Sequence, residues 1–366
     1  MQVRTGRRVA SPGFRLCYLV HGRRAILRVV LQLLDQLSHP AIELSVRKST
    51  VSITHPTYLW INGERKPWDE ATVHVSELGW STIGAVFEGI RGYWNENQGE
   101  LYVFRLREHL ERLHRSMKLV RLPIDYSVDE LIDVTTGLLR ANESREDTYV
   151  FPMAYMRDSY SSRYDRPGIQ TALQILTRPM GSHLNSGMTM SAKVSSWRRI
   201  SEDVMPPRVK NLSNYRNGQI SRMEALMDGY DTSIILNSHG KVAEAPGACV
   251  VFIRDGKLIT PDLTSSVLES ITRDAILTLA REHLDLQVEE RQVDRTELYM
   301  ADELFLCGTA AEITPVVSID KYPIGSGEIG PITSALSRVL EDVLRSHENR
   351  YDRWRTAVGV RSAVPV

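Results

Sequence analysis

The sequence predicts an α+β fold in two domains, and three observations carry that expectation. The chain has 366 residues, more than one hydrophobic core ordinarily organises and a suitable length for two. Strand-type and helix-type segments are grouped on a mixed background, the pattern of mixed sheets with flanking helices. A stretch from Thr177 to Gly187, carrying Pro179, Gly181, Ser182 and Ser186, breaks the pattern near mid-chain and reads as an interdomain connection. The division that follows is an N-terminal extension over 1–55, a small α/β domain over 56–178 and a connecting loop over 179–190. A large domain over 191–350 and a C-terminal tail over 351–366 complete it.

The elements follow in order. Tyr58 to Ile61 and Glu64 to Trp68 flank Asn62-Gly63, a pair that supplies the positive φ angles of a tight hairpin. Leu106, Leu110, Leu113 and Met117 recur every three or four positions, one buried face of a helix reaching Leu119. Ser127-Val128-Asp129-Glu130 is a capping box that opens a second helix through Leu131, Val134 and Leu138. Strands are expected at Thr148 to Met156 and Thr171 to Leu176. Past the connection, Ser233 to Asn237 turns into Lys241 to Ala245, and Cys249 to Arg254 turns at Asp255-Gly256 into Lys257 to Thr260. Ile271 to Leu284 is helical. The last helix opens with Pro331 after Gly330 and buries Ile332, Leu336, Val339, Leu340, Val343 and Leu344.

Lys+Arg and Asp+Glu are each 45, so no net charge draws the chain to nucleic acid or to an acidic membrane surface. No run approaches the ~18 apolar residues of a membrane-spanning helix. The three cysteines, Cys17, Cys249 and Cys307, are far apart and too few for a disulfide framework, which favours a reducing compartment such as the cytoplasm. Within the first fifty residues there are eight arginines, and the first acidic residue is Asp35. That composition suits an organelle transit peptide and an organellar matrix; a disordered tail or translated upstream sequence are the plainer readings. Ala25 to Leu37 has the pattern of a short amphipathic helix.

Four features could carry chemistry. Lys210-Asn211-Leu212-Ser213-Asn214-Tyr215 places a lysine at a strand end with a tyrosine close by. A lysine amine condenses with carbonyls when its surroundings lower its proton affinity, although most lysines are solvated surface charges. Glu244 stands between two hydrophobic strands, where a strand-end charge is the ordinary reading. Leu268 to Asp274 leads into a helix whose first N–H groups can bind phosphate, and Gly308-Thr309-Ala310-Ala311 is a small-residue turn that can offer N–H groups to an anion. Alone, each more often means nothing.

Together, in this order and spacing, they resemble the fold-type IV pyridoxal-phosphate enzymes, most closely the branched-chain aminotransferases. Val86-Phe87-Glu88-Gly89-Ile90-Arg91 adds to the likeness, as does Phe104-Arg105-Leu106-Arg107-Glu108-His109-Leu110-Glu111-Arg112-Leu113. Thr264-Ser265-Ser266 and Ala301-Asp302-Glu303 extend it, so that it covers about residues 56 to 345. The resemblance implies a two-domain architecture with pyridoxal 5'-phosphate bound in the large domain. Lys210 would hold the cofactor and move the substrate proton, Glu244 would face the pyridine nitrogen, and Tyr215 would bond the phenolic oxygen. Arg112, the N–H groups of Ile271 and Thr272, and Thr309 would hold the phosphate. Thr309-Ala310 with Tyr149 would seat the substrate α-carboxylate, while Phe87, Gly89, Arg91 and Phe151 would belong to the substrate pocket. The implied reaction moves an amino group between an apolar L-amino acid and a 2-oxo acid, in a homodimer whose neighbouring subunit helps close the site.

The sequence also departs from that family. Thr82 takes the place of a usual tyrosine, Phe151 that of the arginine in Tyr-x-Arg-Pro, and His183 falls near another usual tyrosine. Ala245 and Ser270 replace glycines, and Cys249 replaces an asparagine. The cofactor positions are kept and the substrate wall is changed. The alternatives are therefore a D-amino-acid or (R)-amine transaminase, an aminodeoxychorismate-type lyase, and a cofactor-binding sensor without turnover.

Overall fold

The structure is a computed structural model that describes residues 55–157 and 169–359. The arginine-rich extension and the helix expected within it lie outside the described residues, as does the chain beyond 359.

The first sheet comprises β1 (Tyr58–Ile61), β2 (Glu64–Pro67), β3 (Val86–Phe87), β4 (Ile90–Asn95), β5 (Glu100–Phe104), β6 (Thr148–Met156) and β7 (Thr171–Pro179). The second comprises β8 (Met190–Arg198), β9 (Thr232–Leu236), β10 (Glu244–Ala245), β11 (Ala248–Arg254), β12 (Lys257–Pro261), β13 (Val288–Arg291), β14 (Glu303–Gly308), β15 (Glu312–Ile319) and β16 (Tyr322–Pro323). A last strand, β17 (Arg355–Ala357), returns to the first sheet and pairs antiparallel with β5. Strand order is β17-β5-β4-β6-β7-β1-β2 in the first sheet, with β3 on β6, and β13-β12-β11-β14-β15-β8-β9 in the second. The helices are α1 (Leu78–Ile83), α2 (Leu106–Leu119), α3 (Val128–Ala141), α4 (Asn214–Met227), α5 (Ile271–Leu284), α6 (Arg295–Leu298) and α7 (Pro331–Leu344).

Local chemistry explains the boundaries. Asn62 and Gly63 adopt φ of 52° and 94°, and Asp255 and Gly256 adopt 52° and 72°, so each pair closes its hairpin with the twist that antiparallel strands prefer. The capping box forms as expected: Ser127 Oγ accepts from Glu130 N–H, and Glu130 reaches back to Ser127 N–H at 2.7 Å. Pro331 occupies the first turn of α7, where its missing N–H has no intrahelical partner to lose.

Each sheet is buried against its own apolar cluster. Leu106, Leu110, Leu113 and Met117 from α2 meet Leu131 and Leu138 from α3 against Val103, Val150 and Ile175 of the first sheet. In the second sheet both faces are covered. Val251 and Ile253 of β11 and Phe305 of β14 face Ile276, Leu279, Leu336 and Leu340 of α5 and α7. Val250 and Phe252, with Leu304 and Leu306, face Ile234 and Val316 instead. Strands buried on both faces read as unbroken apolar runs, which is how these segments looked in the sequence.

Three boundaries differ from expectation. The strand expected to end at Leu176 runs to Pro179, because β6 offers a nine-residue partner whose Thr148 pairs with Pro179. A proline at the last rung has no N–H to contribute, so it ends the strand rather than excluding itself from it. Only Glu244–Ala245 of the expected 241–245 strand is ladder-paired, on β11. The C-terminal tail is built into the fold up to 359: Trp354 is buried and stacks on Tyr351 at 4.4 Å, and β17 covers the edge of β5.

The buried face of α2 gives a direct test. Leu110 is 0% exposed and Leu119, nine residues on, is 56% exposed. Leu110→Ala should cost about 2–5 kcal/mol and Leu119→Ala less than about 0.5 kcal/mol in urea unfolding. Equal losses would show that this face is not the packed one.

Candidate active site

The lysine is placed by backbone. Phe87 N–H donates to Lys210 O at 3.0 Å, Leu212 N–H donates to Ala85 O at 2.8 Å, and Val86 and Asn211 form an isolated bridge. The segment before α4 is thereby tied to β3, and Lys210 arrives buried at the wall of a cavity of about 290 Å³. Its Nζ donates to Tyr215 Oη at 2.5 Å and lies 4.8 Å from the centre of the Phe87 ring.

Glu244 lines the same cavity from β10. Its Oε1 meets Arg199 Nη2 at 2.7 Å, and its Oε2 accepts from Leu268 N–H at 2.9 Å. Both acid and base are buried, so the contact is not a passing surface pair. The N-terminus of α5 also borders the cavity. Ser270 caps it by accepting from Arg273 N–H, and Ile271 and Thr272 are its first two residues, whose N–H groups precede the helix's own ladder.

Arg112 enters from α2 with its guanidinium held on three sides. Nε and Nη2 donate to the two Glu88 oxygens at 2.7 and 2.8 Å, while Nη1 donates to Glu269 O. Glu88 Oε2 accepts a third bond from His109 Nδ1 at 2.8 Å. Burial alone would push the Glu88 carboxyl up, but Arg112, with help from His109, holds it down at about 2 instead of the ordinary 4.5. Burial lowers His109 against the pull of Glu88.

Glycines open the remaining wall. A Cβ on Gly89 would come within 2.2 Å of Tyr149 Oη, so the absence of a side chain lets that hydroxyl approach the backbone. Burial above all, with Tyr215 nearby, pushes the Tyr149 hydroxyl up to about 12, so it stays a neutral donor. A Cβ on Gly308, before the Thr309-Ala310 turn, would press on Gly247 O at 3.2 Å. Cys249 and Cys307 face one another across β11 and β14 in the same lining, both as free thiols. Their shared hydrogen bond and burial push Cys307 well above its usual range.

Of the residues expected at the site, Phe87, Gly89, Arg112, Tyr149, Lys210, Tyr215, Glu244, Ile271, Thr309 and Ala310 line this one cavity. Thr272 borders a smaller neighbouring one. Two expected residues stand outside that lining. Arg91, expected in the substrate pocket, lies outside the lining and is buried in an ion pair with Glu312 at 3.0 Å. Phe151 stands one ring back, 5.2 Å from Phe87 and 6.5 Å from Tyr149 between centres. Strand alternation puts 149 and 151 on one face, but the nearer ring takes the wall. Thr82 turns its hydroxyl to Leu78 O within α1, whereas Ala245, Cys249 and Ser270 all line the cavity. Arg199 was not foreseen, since Trp197-Arg198-Arg199 has no feature that separates a buried arginine from a solvated one.

These residues fit pyridoxal phosphate. The cavity offers an amine, a carboxylate for a ring nitrogen, a hydroxyl beside the amine, and an arginine with helix N–H groups for a phosphate. Asn214 Oδ1 in the same lining is buried with no hydrogen-bond partner, a polar atom that a bound group can satisfy.

Comparison with known proteins agrees. A family model described as amino-transferase class IV matches residues 85–319. A probable branched-chain-amino-acid aminotransferase of Aquifex aeolicus is 41% identical over 82% of this chain and 96% of its own length. The branched-chain-amino-acid aminotransferase of Salmonella typhimurium is 37% identical over 81% of this chain and 95% of its own. A crystal structure of the branched-chain amino acid aminotransferase from Thermobaculum terrenum, in its PLP form, superposes with a TM-score of 0.80. It shows 51% identity over 83% of this chain and 99% of that one. The fold is that of a class IV aminotransferase. Within that class, the chain belongs to the branched-chain-amino-acid aminotransferase family.

Glu88 sets a pH signature. Its folded value lies below its unfolded one, so the stability it contributes is complete above about pH 4.5 and is lost as pH falls toward about 2. Glu88→Gln should flatten the stability curve across that window. It should also cost about 3–5 kcal/mol near neutrality, because Arg112 is left buried without its counter-charge. Urea midpoints measured from pH 7 to 2 report both, and an unchanged acid slope would assign the titration to other carboxylates.

Proposed function

We propose that this protein is a pyridoxal-phosphate-dependent transaminase that exchanges the amino group of an apolar, branched-chain L-amino acid with a 2-oxo acid. The observation that carries the reading is the buried Lys210 amine beside Tyr215 Oη, in one cavity with the Arg199-paired Glu244 and the capped N-terminus of α5. The cofactor, when bound, supplies the electron sink that lets a bond at the substrate Cα break.

Everything else falls to the chain. Lys210 Nζ would hold the cofactor and, when free, would take the proton from the substrate Cα and hold it for return. Tyr215 Oη keeps that amine oriented. Glu244, itself fixed by Arg199 and Leu268 N–H, would hold the proton on the ring nitrogen. Arg112 and the first N–H groups of α5 would anchor the phosphate, Arg112 being prevented from turning by Glu88. The Thr309-Ala310 turn and Tyr149 would seat the α-carboxylate, and Phe87, with Phe151 behind it, would receive an apolar side chain.

The working unit in this proposal is a homodimer. Support comes from α1 and the residues before it, where Val75, Leu78, Trp80 and Ile83 are 72%, 52%, 65% and 53% exposed. Apolar side chains gathered on one short segment mark a surface that another molecule covers.

Two measurements test the assignment. Borohydride should trap the cofactor on Lys210, and Lys210→Ala should lower single-turnover conversion of L-leucine by roughly 10²–10⁴-fold or more. Reduced cofactor on any other lysine would reject the assignment. Glutamate and 2-oxoglutarate should be poor partners beside apolar pairs, by about 1.5–3 kcal/mol in kcat/KM, because no fixed cation stands at position 151. Phe151→Arg should improve that dicarboxylic pair selectively. A change of equal size for every substrate would make Phe151 a packing residue only.

A further inference from the structure

Arg91, Glu312 and His183 converge from the first sheet, the second sheet and the connecting loop. Arg91 and Glu312 are each 1% exposed and lie outside the main cavity's lining. They share with Gly308 and Thr309 the lining of a small cavity of about 10 Å³ behind the turn. Their ion pair spans 3.0 Å, although neither Arg91 Nη1 nor Glu312 Oε1 is aligned as a hydrogen bond. Arg91 Nη2 donates to Met180 O at 2.6 Å, and its guanidinium lies 4.9 Å from the Tyr93 ring centre. Glu312 Oε2 accepts from His183 N–H at 2.8 Å and stands 3.0 Å from His183 Nδ1. The other ring nitrogen, Nε2, is 2.8 Å from Ala311 O and 3.0 Å from Thr314 Oγ1.

The backbone shows what this assembly holds. Gly308 pairs with Glu312 across β14 and β15, so Thr309-Ala310-Ala311 is a three-residue hairpin loop. Its closing residue, Glu312, has φ of 47°, a left-handed conformation that a glycine adopts freely and a glutamate does not. Glycine would suit that backbone better, so the carboxylate is what the position gains. On the other side, Arg91 pairs in register with Tyr149 across β4 and β6. One buried assembly thus ties the turn to the strand pair that presents Tyr149.

We propose that Arg91, Glu312 and His183 are positioning residues that hold the Thr309–Ala311 turn in the conformation that receives the substrate α-carboxylate, without touching substrate themselves. The inference rests on the reading above that this turn is the carboxylate seat. A turn held before substrate arrives has no ordering to do on binding, so loosening it weakens carboxylate affinity rather than the proton-transfer step.

The test uses holoenzyme, L-leucine as donor, and 4-methylpentanoate as a competitive probe that has a carboxylate and no amine. Glu312→Gln keeps the volume and removes the charge. The KM for L-leucine and the inhibition constant of 4-methylpentanoate should rise together by about tenfold or more, with kcat within about threefold and the Lys210-bound cofactor band unchanged. His183→Phe, at the more exposed end of the assembly, should move the same two constants and stands in if Glu312→Gln does not fold. Ala310→Val, a direct change in the turn, separates the two layers of argument. If it weakens 4-methylpentanoate while Glu312→Gln and His183→Phe do not, the turn is the seat and the positioning role is overturned. If none of the three alters the probe, the seat itself is elsewhere. If Glu312→Gln lowers kcat, cofactor content and melting temperature together, its role is structural alone, which also overturns the proposal.

Discussion

Phe87 N–H to Lys210 O and Leu212 N–H to Ala85 O are two backbone bonds, at 3.0 and 2.8 Å, on which the rest of this site depends. They tie the segment that leads into α4 to the short strand β3, and so join a residue of the second half of the chain to the first sheet. Without them Lys210 would lead a loop, and a lysine on a loop is a solvated charge. With them it is buried beside Tyr215, facing residues from β10, α5 and the turn after β14. Side-chain chemistry follows from main-chain geometry here, and the strand that supplies it is only two residues long.

Three buried acid–base contacts surround the cavity: Glu88 with Arg112, Glu244 with Arg199, and Glu312 with Arg91. Pairs of this kind rarely add net stability, because removing two charges from water costs about as much as their attraction returns. Their effect is geometric. Arg112 cannot turn while both Glu88 oxygens and the Glu269 carbonyl hold it, and Glu244 cannot turn while Arg199 and Leu268 N–H hold it. A site that must bind an anionic, planar group needs its donors fixed beforehand, since reorganisation during binding would subtract from affinity. The low value of Glu88 is the electrostatic trace of that arrangement.

Much of this was legible in the sequence, for reasons that can be named. The α2 and α5 boundaries, Leu106–Leu119 and Ile271–Leu284, were readable because their apolar residues keep a helical period, with one face buried in α2 and most of the circumference in α5. The helix α4 carries Lys210 and Tyr215 at its threshold, yet its own pattern has almost no amphipathic signal, since Asn214, Gly218, Ser221 and Ala225 form its buried side. Small residues let it approach the neighbouring backbone closely, as Gly218 does at Pro246. The cavity residues were legible as a collinear set, not one by one. Arg91 and Phe151 stand outside the lining for a common reason. Strand alternation gives the face a side chain occupies, but the depth at which it sits depends on neighbours from other elements. Tyr149, let in by Gly89, takes the space in front of Phe151, and Glu312 draws Arg91 behind the turn.

Those two displacements bear on what the pocket can read. Of the arginines in the cavity lining, Arg112 is committed to Glu88 and Arg199 to Glu244, while Arg222 lies exposed on α4. A cation in water attracts a carboxylate weakly, because solvent screens the pair and both partners keep most of their hydration. The aromatic side of the cavity presents Phe87 against Tyr215 at 4.9 Å, with Phe151 behind. Such a wall favours a side chain that sheds little hydration on entering, and it gives a distal carboxylate nothing in exchange for the water it leaves. Charge in this site is therefore used to hold the parts that recognise the invariant portion of a substrate, its α-carboxylate and amine. Discrimination among side chains is left to ring packing, a contact whose strength scales with apolar area and not with charge.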